Sequence, residues 1–111
     1  MKMVIAFIQP FMAPDVVHAL HRVPGLTGAT FTDVKGFGRG RPTDSPTAEV
    51  LYGTADKVRI EVVVPEDLED VVAEAIREAA RTGNRGDGKI YVLPVERAVR
   101  IATAEEGDDA V

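Results

Sequence analysis

Between Lys57 and Ala79 the apolar residues change period once, abruptly, at Pro65. Before it, "KVRIEVVV" alternates: Val58, Ile60, Val62 and Val64 point one way, Lys57, Arg59 and Glu61 the other, the period of a half-buried strand. After it, Leu68, Val72, Ala75, Ile76 and Ala79 fall at i, i+4, i+7, i+8 and i+11, the stripe of an amphipathic helix over residues 65–80. Glu66 and Asp67 sit in the first turn, where the helix dipole favours negative charge. A strand with one apolar face that runs straight into a helix with one apolar stripe predicts a sheet with helices packed on one side.

The first third of the chain repeats the pattern. Lys2–Ile8 is an apolar run closed by Pro10, which predicts a buried strand. "PDVVHALHRV" sets Val16, Leu20 and Val23 at helical spacing from Pro14 until Pro24-Gly25 stops it. Residues 29–35 alternate again, with Thr30, Thr32 and Val34 opposite Phe31 and Asp33. After the glycine-rich stretch "TGNRGDG", strands are expected at residues 89–93 and 97–101, then an acidic tail, "EEGDDAV", expected to be flexible over residues 105–111. The order is β-α-β-loop-β-α-β plus a terminal strand: an α+β, ferredoxin-like βαββαβ sandwich with a long loop between its second and third strands. The valines and isoleucines left on the far sheet face suggest burial against copies of the chain.

With 111 residues there is surface for one core, so residues 1–111 are read as one domain. A net charge of -5 argues against nucleic acid as a partner, because affinity for its backbone rests on Lys and Arg. The chain has no cysteine, which removes disulfides and thiolate metal sites. "MKMVIAFIQP" is too short an apolar run for a signal peptide core, and no stretch reaches membrane-spanning length. The expected location is cytoplasmic and not membrane-embedded.

Three stretches concentrate positive charge at element ends. In "KGFGRGR", residues 35–41, glycines admit a ligand to the backbone while two arginines offer planar forks for phosphate or carboxylate. In "TGNRGDGKIY", residues 82–91, a turn with backbone donors ends in Lys89, a point charge at the mouth of a strand. In "RAVRIATAEEG", Arg97 and Arg100 flank the terminal strand. Each has a plain alternative: a flexible loop with solvated charges, a helix-to-strand connection needing left-handed residues, and ordinary surface charges. Their coincidence in an acidic chain favours a small anionic ligand. His18 and His21, at i and i+3, lack a third metal ligand, and no nucleophile, paired-carboxylate or triad pattern is present.

These pieces resemble the PII family of signal-transduction proteins, the GlnB/GlnK-like nitrogen regulators. The likeness is carried by "IQPF", "TDVKGFGR", "KVRIEVVVP", "ARTGNRGDGKIYVLPVE" and "RIATAEEGDDAV". It implies a nonenzymatic homotrimer that binds ATP or ADP between subunits, with Mg2+ as an accompanying ion. It also implies control of a membrane transporter or metabolic enzyme through a T-loop at about residues 37–55. The B-loop falls at 82–88 and the C-loop at 96–104. By the same resemblance Gly36, Arg39, Gly86, Gly88, Lys89 and Arg100 meet the nucleotide, mostly its phosphates. Thr30, Glu61 and Val63 lie near base and ribose, and Arg85 and Asp87 complete the B-loop set.

Departures from the pattern sharpen these expectations. The T-loop is about two residues shorter than usual and lacks the text "GHTELYRGAEY", and Tyr52 is not where the modified tyrosine of enterobacterial members stands. Lys57 matches the lysine that pairs with 2-oxoglutarate, but Gly40 replaces a glutamine that helps hold it and magnesium, which argues against 2-oxoglutarate sensing. Ala102 stands where a second C-loop arginine is common, and Arg85 supplies a charge where an apolar residue is frequent. Beside this reading stand a diverged PII-like protein serving another transport system, a small phosphate-transferring enzyme, and a metal-binding trimer resembling the CutA group.

Overall fold

The structure, a computed structural model, describes residues 1–38 and 54–111. Strand β1 (Lys2–Ile8) leads through a 3-10 turn at Pro10–Met12 into helix α1 (Ala13–His21). Strands β2 (Thr30–Gly36) and β3 (Ala55–Val64) follow, and a second 3-10 turn, Glu66–Leu68, opens helix α2 (Glu69–Ala80). Strand β4 (Gly88–Pro94) completes a four-stranded sheet in the order β2-β3-β1-β4. Every neighbouring pair is antiparallel. This is the ferredoxin-like arrangement expected from the change of period.

Both helices enter through 3-10 turns, so α2 begins later than the apolar stripe alone predicts. Pro65 donates no N–H and holds φ at -58°, and the first residues after it wind tightly before the α-helical bonds start. The stripe itself packs as spaced. Val72 and Ile76 of α2 and Val16 of α1 are fully buried against Val4, Ala6, Ile60 and Val62 of the sheet. Burial of a side chain such as Ile60 or Ile76 contributes about 1.5–3 kcal/mol. No charged or polar residue among those described is buried, so groups available for ligands lie at the surface.

Register decides which residues share the open sheet face. Phe7 stands between Arg59 of β3 and Lys89 of β4, and Thr30 stands opposite Glu61. The Phe7 and Tyr91 rings meet edge-on at 6.4 Å, and the Arg59 guanidinium lies 5.7 Å above the Phe7 ring. Tyr91 and Leu93 of the edge strand β4 remain 50% and 40% exposed.

Residues 97–101, expected as a strand, form only the bridge Val99 to Glu106. Pro94 ends β4, and the chain then pairs with its own acidic tail instead of joining the sheet. Arg100 N donates to Glu105 O at 2.9 Å and Ala104 N to Arg100 O at 2.8 Å, with Ala104 at φ +63°. Gly107–Ala110 closes as a 3-10 turn.

Candidate functional site

The loop from Thr82 to Gly88 is organised by its own aspartate. Asp87 Oδ2 accepts the Thr82 and Gly83 N–H groups at 2.7 and 2.9 Å, and Oδ1 accepts the Thr82 hydroxyl. Thr82 Oγ1 in turn accepts the Asn84 N–H at 3.1 Å. The Thr82 hydroxyl and these backbone donors hold the Asp87 carboxyl below its ordinary range, against a smaller opposing effect of desolvation. Hydrogen bonds to a carboxylate favour its charged form.

The sign of the pH dependence follows. A depressed pKa stabilises the folded loop fully above the ordinary carboxylate value and loses that stabilisation as pH falls through the lowered one. The Thr82 and Gly83 amide resonances should therefore hold steady at neutral pH and move only in acid, below the usual aspartate range. Asp87→Asn, which exchanges an acceptor oxygen for a donor NH2, should show the moved resonances at neutral pH. Identical spectra for the two proteins would mean that the carboxylate does not order the loop.

The loop is also tied to the sheet. Gly86 O accepts hydrogen bonds from Gln9 Nε2 at 2.9 Å and Lys57 Nζ at 3.2 Å. Gly88 begins β4 opposite Ile8, and Gly36 ends β2 opposite Ala55. One end of the sheet thus gathers Gly36, Lys57, Arg85, Gly86, Gly88 and Lys89. Beside it lies a cleft of about 340 Å³ whose apolar floor is Ile8, Ile76 and Ile90 and whose rim includes Arg81, Asp87 and Lys89.

The remaining expected residues are not gathered there within one chain. Thr30 and Glu61 face each other further along the sheet, with Glu61 bound to Arg59 at 2.9 Å, and Val63 pairs with Met3 at the sheet's other end. Val95 N donates to Met1 O at 3.1 Å, so the segment carrying Arg100 leaves from that opposite end. β4 spans seven residues, or about 23 Å of strand. Arg97 and Arg100 are paired with Glu106 at 3.0 Å and Glu105 at 3.5 Å. The arginines of the third stretch are accordingly offset by the glutamates at its own end.

Arg39, Gly40 and Tyr52 lie outside the described residues, as does most of the segment from Phe37 to Ala55. His18 and His21 belong to no group of three or more residues able to hold a metal ion among those described. No described helix is long and apolar enough to cross a membrane. Gln9 falls within "IQPF", which marks the family but no site role: its partner is 77 residues away, and nothing in the local spacing reveals the contact.

Residues 1–105 match the family described as nitrogen regulatory protein P-II. The chain is 48% identical, over the whole of both proteins, to "Nitrogen regulatory protein P-II" of Haemophilus influenzae. It is 47% identical to "Nitrogen regulatory protein P-II 1" of Escherichia coli, again over the full length of both. Each alignment spans 113 positions and the whole of this chain, which has 111 residues, so this chain lacks a residue at two of them. Among solved structures, that of Arabidopsis thaliana PII bound to citrate superposes with a TM-score of 0.81 at 37% identity, covering 99% of this chain and 91% of the other.

Proposed function

The chain belongs to the nitrogen regulatory protein P-II family, and on that premise we propose that it is a cytoplasmic homotrimer that senses adenine nucleotide. It is a signal-transduction regulator and not a catalyst. ATP or ADP binds between neighbouring subunits, and the segment at about residues 37–55 carries the resulting state to a transporter or metabolic enzyme. The observation that carries this reading is the anchored glycine loop of residues 82–88 beside Lys89, at the end of the sheet from which that segment departs. Donors fixed on a folded loop bind an anion without ordering it anew.

The division of expected contacts supports a site between copies. Gly36, Gly86, Gly88 and Lys89 take the phosphates from one subunit. Thr30, Glu61, Val63 and Arg100, set apart from them within a chain, reach the nucleotide from the next. The exposed Tyr91 and Leu93 on the open face would be covered by that neighbour, as large apolar surfaces ordinarily are. The citrate held by the Arabidopsis relative is a polyanion, in keeping with an anion site on this fold. Magnesium accompanies the nucleotide through its phosphates.

The role that the family membership favours is regulation of nitrogen utilisation; a diverged regulator without 2-oxoglutarate sensing, serving another transport system, is the second reading. Lys57 Nζ spends one of its three hydrogens on Gly86 O and keeps two for a carboxylate, so what speaks against 2-oxoglutarate is Gly40 in place of the glutamine. Calorimetric titration with ATP and ADP, each with and without Mg2+ and 2-oxoglutarate, combined with light scattering, tests the reading. Three chains per particle and one nucleotide per chain, unaffected by 2-oxoglutarate, are expected. A monomer, or no heat with either nucleotide, would overturn it.

A further inference from the structure

The Gly86 carbonyl is held from two sides, by Gln9 Nε2 at 2.9 Å and Lys57 Nζ at 3.2 Å. Gly86 adopts φ +91°, and a Cβ there would stand 3.2 Å from Gln9 Nε2. A side chain there would push the Gln9 amide back by a few tenths of an ångström. No peptide bond among the described residues is cis, and in a planar trans peptide the C=O and the following N–H point to opposite sides. Turning Gly86 O toward Gln9 and Lys57 therefore turns the Asp87 N–H away from them. The Thr82 and Gly83 N–H groups are already directed inward to the Asp87 carboxylate. With the Asn84 N–H taken up by Thr82 Oγ1, three of the loop's N–H donors are spent within it, while the Asp87 N–H is turned away from Gln9 and Lys57.

The two anchors differ in kind. Lys57 carries a charge that an arriving anion also attracts, so its hold on Gly86 weakens when a ligand competes for it. The Gln9 amide is neutral and keeps its bond.

We infer that Gln9 is a positioning residue: by holding the Gly86 carbonyl it presents the Asp87 N–H to an anionic ligand that it does not itself touch. The nature of that ligand rests on the nucleotide reading above; the loop conformation does not. Gln9 is half-buried on the surface, so losing its bond should loosen the loop and leave the fold intact.

The test uses the full-length protein with Gln9→Met, which removes the donor without adding charge, and Gln9→Lys, which restores a donor. The readouts are the Asp87 and Gly88 amide shifts without ligand, affinity for ATP and ADP, and the urea midpoint. The methionine variant should shift both amides and lose about three- to tenfold in affinity, the size of one ordinary hydrogen bond. The lysine variant should return the ligand-free shifts to the wild-type positions, with the urea midpoint constant throughout. Unmoved amides in the methionine variant, or an affinity loss that follows the urea midpoint, would overturn the inference. Should wild type take up neither nucleotide while the methionine variant still moves the Asp87 amide, the nucleotide reading falls and the positioning of the loop stands.

Discussion

Gly88→Ala is expected to destabilise the protein by about 2–5 kcal/mol, the sum of a left-handed backbone penalty and the strain of forcing an atom into packed backbone. Gly88 has φ +111°, and an added Cβ would lie 1.7 Å from Phe7 O and 2.9 Å from Phe7 C. Those atoms belong to β1, the inner strand paired on one side with β3 and on the other with β4. They cannot retreat without disturbing both ladders. Gly83→Ala is the control, since Gly83 has nearly the same kind of backbone, φ +87°, with nothing within 4 Å of its Cβ. It should lose only the backbone part, about 1–2 kcal/mol. Urea unfolding of the two variants measures the difference, and equal midpoints would show that β4 tolerates a side chain at its first residue.

Gly88 also shows what glycine-rich text conceals. In the sequence, the glycines of residues 82–88 point to close approach by a ligand. The structure places that close approach, at Gly88, against the backbone of the chain's own first strand. Gly86 is different: its neighbour is the tip of the flexible Gln9 side chain, and its carbonyl is the anchoring point. One motif thus combines a packing glycine with a positioning one, and spacing cannot tell them apart.

What was legible followed from periodicity. β3 and α2 read clearly because Val58, Ile60, Val62 and Val64, then Val72 and Ile76, repeat at the two periods and are buried as spaced. The order of elements then leaves few topologies, and the ferredoxin-like sheet is one of them. Contacts between distant segments were not legible. Gln9 meets Gly86 through a contact that nothing in the local spacing reveals, and Arg97 and Arg100 meet glutamates supplied by a tail that composition alone predicts to be loose. The 97–101 segment has strand-like residues, yet its pairing partner is the tail and not the sheet. Local propensity sets what a segment can become, and the available partner decides what it does.

Lys89→Ala should weaken ATP binding about 10- to 100-fold, the worth of one charge-assisted hydrogen bond of about 1.5–3 kcal/mol. Lys89 is exposed, follows Gly88 at the start of β4, and stands opposite Phe7 on the open sheet face. Among the charges at this end of the sheet, Lys57 is engaged with Gly86 O and Asp87 with Thr82 and Gly83. Lys89 has no ion pair among the described residues, so its ammonium can meet a phosphate without first leaving a partner. Lys89→Arg keeps the charge but replaces a compact ammonium with a wider planar fork, and should recover only part of the affinity. The salt dependence separates contact from distant attraction. If Lys89 touches the phosphates, the alanine variant loses affinity at high as well as low ionic strength; a loss confined to low salt would mean that Lys89 only contributes to a screened field. In that case the anion would be held by the loop N–H groups, and the weight of binding would shift to the Gly86–Asp87 peptide that Gln9 and Lys57 orient.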